Sequence, residues 1–522
     1  MHRRWFLIAA LALAAIVIAV PATTAAPVDP TIQQSMGFRK AVTLAHIRAH
    51  QQALQTIGTA NGGNRLASTA GHDQSAEYVF NQLTAAGYSP QYQEFEFLLV
   101  SDRTPPVLQK TAPAPAKSYT DGPDFQTMQY SGSGDTTAAL YAIDLVVPAP
   151  GPGATTSGCE AADFAGFPAG AIALMQRGTC TFRVKAENAR TAGASAAVIF
   201  NDGGDAGRLP VIGGTLAPPP MDYPVIGTSF AVGNELRNGV LTGNTGNTVR
   251  VRTDTVAETR TTRNVIAETP GGNADRVVVI GAHLDSVSRG PGINDNGSGS
   301  ATILEVAKVY AQQGRTPRNK LRFAWWSAEE EGLIGSTEYV ASLSQAEKDQ
   351  ILLNLNFDMI GSPNFVRFIY DGDNSAFPVG NGVQAGPAGS GLIEDVFTDY
   401  FDSQGLASEP TPFNGRSDYG PFIAEGIPAG GLFTGAEGAK TAAEAATYGG
   451  TAGAQYDPCY HLACDTFANN SNTALDQMSD AVAHAVLFFA NTKSNVDANP
   501  AAATLRAQSN GSLHTDANLA RR

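Results

Sequence analysis

Five short apolar runs in the second half of the chain constrain its fold more than any other feature. They are Val277–Ile280, Leu321–Trp326, Leu352–Phe357, Val366–Tyr370 and Gly430–Phe433. Apolar residues dominate each run, broken only by Arg322, Asn354, Asn356 and Arg367. Apolar runs of this kind belong to strands covered on both sides. Helical stretches alternate with them. In one, Ile303, Val306, Ala307 and Tyr310 share a face and Gly314 ends the helix. The pattern predicts an α/β unit with a mixed, mostly parallel sheet flanked by helices.

In open sheets of this kind, ligands bind beyond the carboxyl ends of the strands. The residues just after each run are therefore informative. His283 and Asp285 come after the first, in "GAHLDS". Glu329, Glu330 and Glu331 come after the second, in "AWWSAEEEG". Asp358 comes after the third, in "NFDMIG". Two loops add Asp295, in the Gly-rich "GINDNGSGS", and His461, between Cys459 and Cys464. Two imidazoles and several carboxylates, with no thiolate, make a nitrogen and oxygen ligand set suited to zinc. Five candidates (His283, Asp295, Glu330, Asp358 and His461) exceed what one zinc needs. They fit two ions about 3.5–4 Å apart that share a carboxylate.

The preceding half has a different texture. A helix is predicted over Phe38–Ile57, carrying His46 and His50, and a second over Ser75–Ala86. The two histidines are four apart, but Ile47 stands where a zincin needs Glu, so they are read as solvated helix residues. "QYQEFEFLLV" reads as a strand, and the Pro-, Ala- and Ser-rich stretch 103–135 as a connector. Between about Asp135 and Val251, short apolar runs such as "LYAIDLVV", "GAIALMQRG", "SAAVIFN" and "YPVIGTSF" alternate with Gly and Pro turns, with a helix near Val184–Ala192. This is a compact, mostly β module. A last helix is predicted over Met478–Ala490, with a polar, Ala-rich tail beyond it read as disordered.

Charge and targeting exclude several classes. A net charge of −14 argues against nucleic acid, which needs a basic face. Residues 1–26 read as a secretory signal: Arg3 and Arg4, an apolar run from Trp5 to Val20, then small residues to Ala26. The run is short for a membrane span. A secreted or extracytoplasmic protein is expected, without a span once the signal is removed. Export favours disulfides, and the cysteines fall into two close pairs: Cys159 with Cys180, and Cys459 with Cys464.

The ordered motifs "GAHLDS", "GINDNGSG", "FAWWSAEEEGLIGS", "NFDMIGSPN", "GRSDYGPF" and "YDPCYHLACD" resemble those of secreted co-catalytic dizinc aminopeptidases. The stretch "IALMQRGTCTFRVKAENARTAGASAAVIFN" resembles the protease-associated (PA) domain. A peptidase domain split by such an insertion looks like the aminopeptidase Y and leucyl aminopeptidase group. The resemblance implies a peptidase domain over 36–134 and 254–493, an inserted domain over 135–253, and a tail over 494–522. It implies two zinc ions per chain, one held by His283 and Asp358, the other by Glu330 and His461, with Asp295 between them. Asp285 would orient His283, and the Asp295–Asn296 peptide would be cis. Glu329 would be the general base and Tyr460 would donate to the oxyanion. Arg416 would organise the substrate end. Phe433 would line the side-chain pocket or belong to ordinary core. Glu331 would fall outside the site, at a helix start where a carboxylate is mildly favourable. Asp476 and Asp480 resemble a calcium-binding pair of some relatives, although no matching Asp lies near Phe38–Leu44.

The implied activity is hydrolysis of the N-terminal peptide bond of peptides or proteins with a free N-terminus. Three alternatives stand beside it: a carboxypeptidase of the glutamate-carboxypeptidase type, a binding protein that has lost its metals, and a glutaminyl-cyclase-like transferase with one zinc.

Overall fold

A computed structural model describes residues 30–493 apart from 148, 152 and 381. The signal over 1–26 and the tail over 494–522 lie outside the described residues. The strands, in chain order, are β1 (Gln91–Ala112), β2 (Lys117–Ser118), β3 (Phe125–Thr127), β4 (Gly134–Ala142), β5 (Ile172–Gln176), β6 (Ala196–Phe200), β7 (Val225–Thr228), β8 (Gly243–Glu268), β9 (Asn273–His283), β10 (Asn319–Trp326), β11 (Ile351–Phe357), β12 (Phe368–Tyr370), β13 (Glu409–Thr411) and β14 (Ala429–Phe433).

One hydrogen-bonded path joins twelve of them in the order β13-β12-β14-β11-β9-β10-β8-β4-β5-β6-β7-β3, with β1 paired to β8 and β2 to β1. The site-bearing strands β14, β11, β9 and β10 are mutually parallel, so their carboxyl ends share one edge. Their register explains the convergence: Trp326 lies opposite His283, and Phe357, just before Asp358, lies opposite Leu432. Every residue of β11 is buried, as are the last seven of β9. The helices Gly297–Gln312 and Asn472–Asn491 cover one face, and their apolar residues join a single core with Ile280, Phe323 and Leu355. The mostly parallel sheet with flanking helices is therefore as the apolar runs require.

The inserted module is built on parallel β4-β5-β6-β7, with small cores on both faces around Leu174 and Ile199. Three of the four apolar runs contain β5, β6 and β7, and "LYAIDLVV" overlaps the end of β4.

The stretch 103–135 is not a connector, contrary to expectation. β1 continues through it to Ala112 and pairs antiparallel with β8 from Gln91↔Ile266 to Ala112↔Thr248. β8 buries Val249 and Val251 in the module and Val265 and Ala267 in the peptidase-type core, while its middle, Ala257–Thr261, is exposed. A long two-stranded ribbon thus runs between the two cores. The Pro- and Thr-rich composition hides a strand because one half of its surface is wet, where polar residues are tolerated.

The predicted first helix is two, Pro30–Arg39 and Leu44–Ala60, broken where the Thr43 hydroxyl accepts from the His46 amide. His46 and His50 are not both solvated. His50 is buried, and its ring faces Tyr78 Oη at 2.7 Å and Glu305 Oε2 at 3.4 Å; His46 Nδ1 reaches Glu305 Oε1 at 2.8 Å. Glu305 is itself buried, and a buried carboxylate needs such partners. Both disulfides form, Cys159–Cys180 and Cys459–Cys464, with Cα–Cα separations of 5.7 and 5.3 Å. Among the described residues no helix is long and apolar enough to cross a membrane.

Candidate active site

β9 ends on His283 itself, and β11 stops one residue before Asp358. Asp295 sits just before the helix Gly297–Gln312, which Asn296 caps by accepting from the Gly299 amide at 2.9 Å. The Asp295–Asn296 peptide is cis, as the resemblance implies. His461 has a φ of +58° in the loop closed by Cys459–Cys464.

These side chains form two donor sets that share one carboxylate. His283 Nε2 lies 3.2 Å from Asp295 Oδ1 and 3.3 Å from Asp358 Oδ1. His461 Nε2 lies 3.2 Å from Asp295 Oδ2 and 3.1 Å from Glu330 Oε2. Ligand atoms about 2.0 Å from a tetrahedral zinc are about 3.3 Å apart along the tetrahedron's edge. The observed spacings match that edge. Glu330 Oε1 is buried without a hydrogen-bond partner, which also fits a carboxylate that serves a cation.

The electrostatics point the same way. Burial acts to lower the His283 pKa, but Asp358 and Glu329 outweigh it and hold the imidazole well above its ordinary value. Burial likewise opposes protonation of His461, and Glu330 and Asp295 overcome it. Burial raises the Glu329 carboxyl well above the usual range; Glu330, Asp418 and Asp358 add to this against the opposing charge of His283. Carboxylates gathered around two imidazoles leave an excess of negative charge that divalent cations balance.

The three glutamates have different fates. Ala328, at φ +56°, and Gly332, at φ +107°, bend the chain after β10, and the Gly332 amide donates to Glu329 O at 2.7 Å. Adjacent Glu329 and Glu330 then both face the site. Asp285 accepts from their amides at 3.2 and 3.3 Å. Its oxygen stands 3.7 Å from His283 Nδ1, so it holds the glutamate turn more closely than the imidazole. Glu331 is not at a helix start. The helix begins at Ile334, and Glu331 is turned toward Gln129, whose Nε2 donates to it, while burial pushes its pKa up to about 8.

A cavity of about 260 Å³ opens over the donor sets. Glu329, Asp295, Asp358 and His461 form its polar side, and Met359, Tyr370, Phe433 and Tyr456 an apolar side. Phe433 lines this space and stacks on Phe368. Tyr460 stacks on His461, with ring centroids 3.8 Å apart, and burial raises its phenol well above its ordinary pKa, keeping it a donor. Arg416 donates to Tyr460 Oη at 3.1 Å and to both Glu437 oxygens. Asp480 lies 3.5 Å from the Arg39 guanidinium, a cation where the calcium expectation calls for oxygen ligands.

Several residues at the site had no role assigned to them from the sequence. Ser417 donates to Asp358 Oδ2 at 2.7 Å, and Asp465 accepts from the Asn294 and Asp295 amides at 2.8 and 3.0 Å. Arg65, fully buried, donates to the carbonyls of Leu284, Pro291 and Gly292 beneath the loop that carries Asp295. Ser417 lies inside "GRSDYGPF" and Asp465 closes "YDPCYHLACD", so membership of those motifs was the available signal. Arg65 lies in "NGGNRLASTAGHDQSAEYV", which also resembles the aminopeptidase Y and leucyl aminopeptidase group, but the stretch by itself named no partner for it.

Comparison with known proteins places these observations. Residues 264–486 match peptidase family M28, and residues 142–236 match the PA domain. An aminopeptidase of Pseudomonas aeruginosa is 46% identical over 481 residues, covering 92% of this chain and 87% of its own length. Leucine aminopeptidase 2 of Trichophyton rubrum is 40% identical, covering 89% and 87%. A solved zinc aminopeptidase from Bacillus subtilis superposes with a TM-score of 0.60 at 25% identity, covering 85% of this chain and 94% of its own. The chain belongs to peptidase family M28, a hydrolase whose PA domain is inserted ahead of the strands that carry its site.

Proposed function

We propose that this M28 peptidase is an exported aminopeptidase that releases the first residue of peptides through a two-zinc site. The peptidase domain spans 36–134 and 254–493, and the inserted domain 135–253. The observation that carries the two-metal reading is Asp295: its two oxygens face two different histidines, each at 3.2 Å. One carboxylate then belongs to both donor sets, His283 with Asp358 and Glu330 with His461. When bound, the zinc ions supply Lewis-acid polarisation of the scissile carbonyl and lower the pKa of water.

The protein's own groups do the rest. Glu329 takes the proton of the attacking water and passes it to the departing amine. Tyr460 donates to the oxyanion. Glu329 and Asp358 offer negative charge to the substrate's α-ammonium. The apolar side of the cavity, at Met359, Tyr370 and Phe433, favours an apolar first side chain; the Trichophyton relative's name, leucine aminopeptidase, agrees. Two disulfides and the N-terminal signal pattern support export.

The test is a panel of aminoacyl anilides on zinc-loaded enzyme, with N-acetylated and acidic C-terminal dipeptide controls, and zinc counted by elemental analysis. Turnover of leucyl anilide, none of its N-acetyl form and two zinc ions per chain are expected. Cleavage confined to C-terminal residues, or one zinc per active chain, overturns the proposal.

A further inference from the structure

The cleft is not lined by the peptidase strands alone. Asp205, Gly207 and Arg208, from the inserted module, share its wall with Arg416, Glu437 and Tyr460. The contact is close. A Cβ on Gly207 would stand 2.4 Å from the Glu437 carbonyl oxygen, so module backbone rests directly on the backbone of Glu437. Gln455 Nε2 holds the same carbonyl at 3.2 Å.

From this seat the Glu437 side chain reaches Arg416, Oε1 to Nη1 at 2.7 Å and Oε2 to Nη2 at 3.3 Å. The same Nη2 donates to Tyr460 Oη at 3.1 Å. A guanidinium held by a carboxylate on two nitrogens has a defined plane. Arg416 then occupies an acceptor position of the Tyr460 oxygen and leaves its single hydrogen for another acceptor. Glu437 stays ionised throughout: burial acts to raise its pKa, but Arg416 and then the module's Arg177 bring it down to about 2.

We propose that Glu437 is a positioning residue for the oxyanion donor, aiming the Tyr460 hydroxyl through Arg416, and that the inserted module acts on catalysis by seating Glu437. This rests on the reading of Tyr460 as the donor. The chain of contacts gives the PA domain a stated part in the reaction rather than a general role in access.

The test uses the full zinc-loaded protein and the variants Glu437→Gln, Glu437→Asp, Tyr460→Phe and Gly207→Ala, with zinc content and thermal unfolding measured alongside kinetics. Glu437→Gln should lower kcat about 10–100-fold with KM changed less than about threefold. Glu437→Asp, which keeps the charge, should recover most of that loss. In a Tyr460→Phe background, Glu437→Gln should add little, because residues acting through one group are not additive. Gly207→Ala should lower kcat in the same direction with zinc retained. If Glu437→Gln keeps full turnover while Tyr460→Phe loses it, or if the two losses multiply, the coupling is wrong. If Tyr460→Phe keeps full turnover, the donor role itself fails and the coupling with it. A Glu437→Gln variant that loses zinc while Glu437→Asp does not rescue kcat also overturns the proposal.

Discussion

Replacing Glu329 by Gln tests the division of labour among the three glutamates, because an isosteric neighbour serves as its control. The turn itself survives the change. The Glu329 amide still donates to Asp285, and its carbonyl still accepts from Gly332 and Leu333 at 2.7 and 2.8 Å. The two donor sets built on Asp295 lack Glu329, so zinc content should stay at the wild-type level. A positioned general base contributes about 10²–10⁴-fold, or about 3–5 kcal/mol of barrier. That loss should fall on kcat for leucyl anilide, measured by initial rates with zinc counted in the same samples. Glu331→Gln should change kcat less than about threefold. Burial already raises the Glu331 pKa to about 8, so its carboxyl is neutral at pH 7 and an amide copies it. A carboxyl whose folded pKa is raised contributes stability that is present below its ordinary pKa and lost as pH rises through the folded value. Glu331→Gln removes that loss, and its gain over wild type should grow between pH 4.5 and 8, to at most about 5 kcal/mol. Turnover of Glu329→Gln within tenfold of wild type at full zinc would refute the assignment of the base. Equal losses at both positions would refute the division between them.

Three other outcomes stem from buried charge. Metal-free protein holds His283 and His461 protonated well above their ordinary pKa, so zinc affinity should rise with pH above about 6.5 and uptake should release protons, as calorimetry in two buffers of different ionisation enthalpy would detect. Arg65→Met leaves the carbonyls of Leu284 and Pro291 without that donor, and Gly292 with only the Gly297 amide; a loss of about 3–5 kcal/mol is expected, seen as a Tm lower by about 5–10 °C, and an unchanged Tm would deny Arg65 its supporting role. Lys185 is fully buried in the module, where burial lowers its pKa to about 8. Its unfolded form binds more protons between pH 8 and 10.5, so stability rises with pH across that window. Lys185→Met should flatten this slope and stabilise the module below pH 8 by up to about 3 kcal/mol, less the lost bond to the Ser157 carbonyl.

The features that the sequence alone determined were local or ordered along the chain. Predominantly apolar runs specify strands buried on both faces, because nearly every side chain in them must leave water. The chemistry at their ends comes from the parallel arrangement that such runs demand, which is why His283, Glu329, Glu330 and Asp358 were legible. Asp295 and His461 were legible through unusual loop chemistry, the glycines and the cysteine pair. Only the tertiary structure decided the partners that arrive from afar. The β1–β8 ribbon pairs residues some 140–175 positions apart, and its exposed middle needs no apolar pattern to mark it. Arg65 meets Leu284 across 219 positions, Gln129 meets Glu331 across 202, and His50 meets Glu305 across 255. A buried charge must find a counter-charge or a carbonyl, but its own neighbours in sequence do not say which. The same reason hid Glu437: its carboxylate matters through Arg416 and its backbone through Gly207; the first contact forms only in the folded peptidase domain, the second only once the two cores are folded against each other.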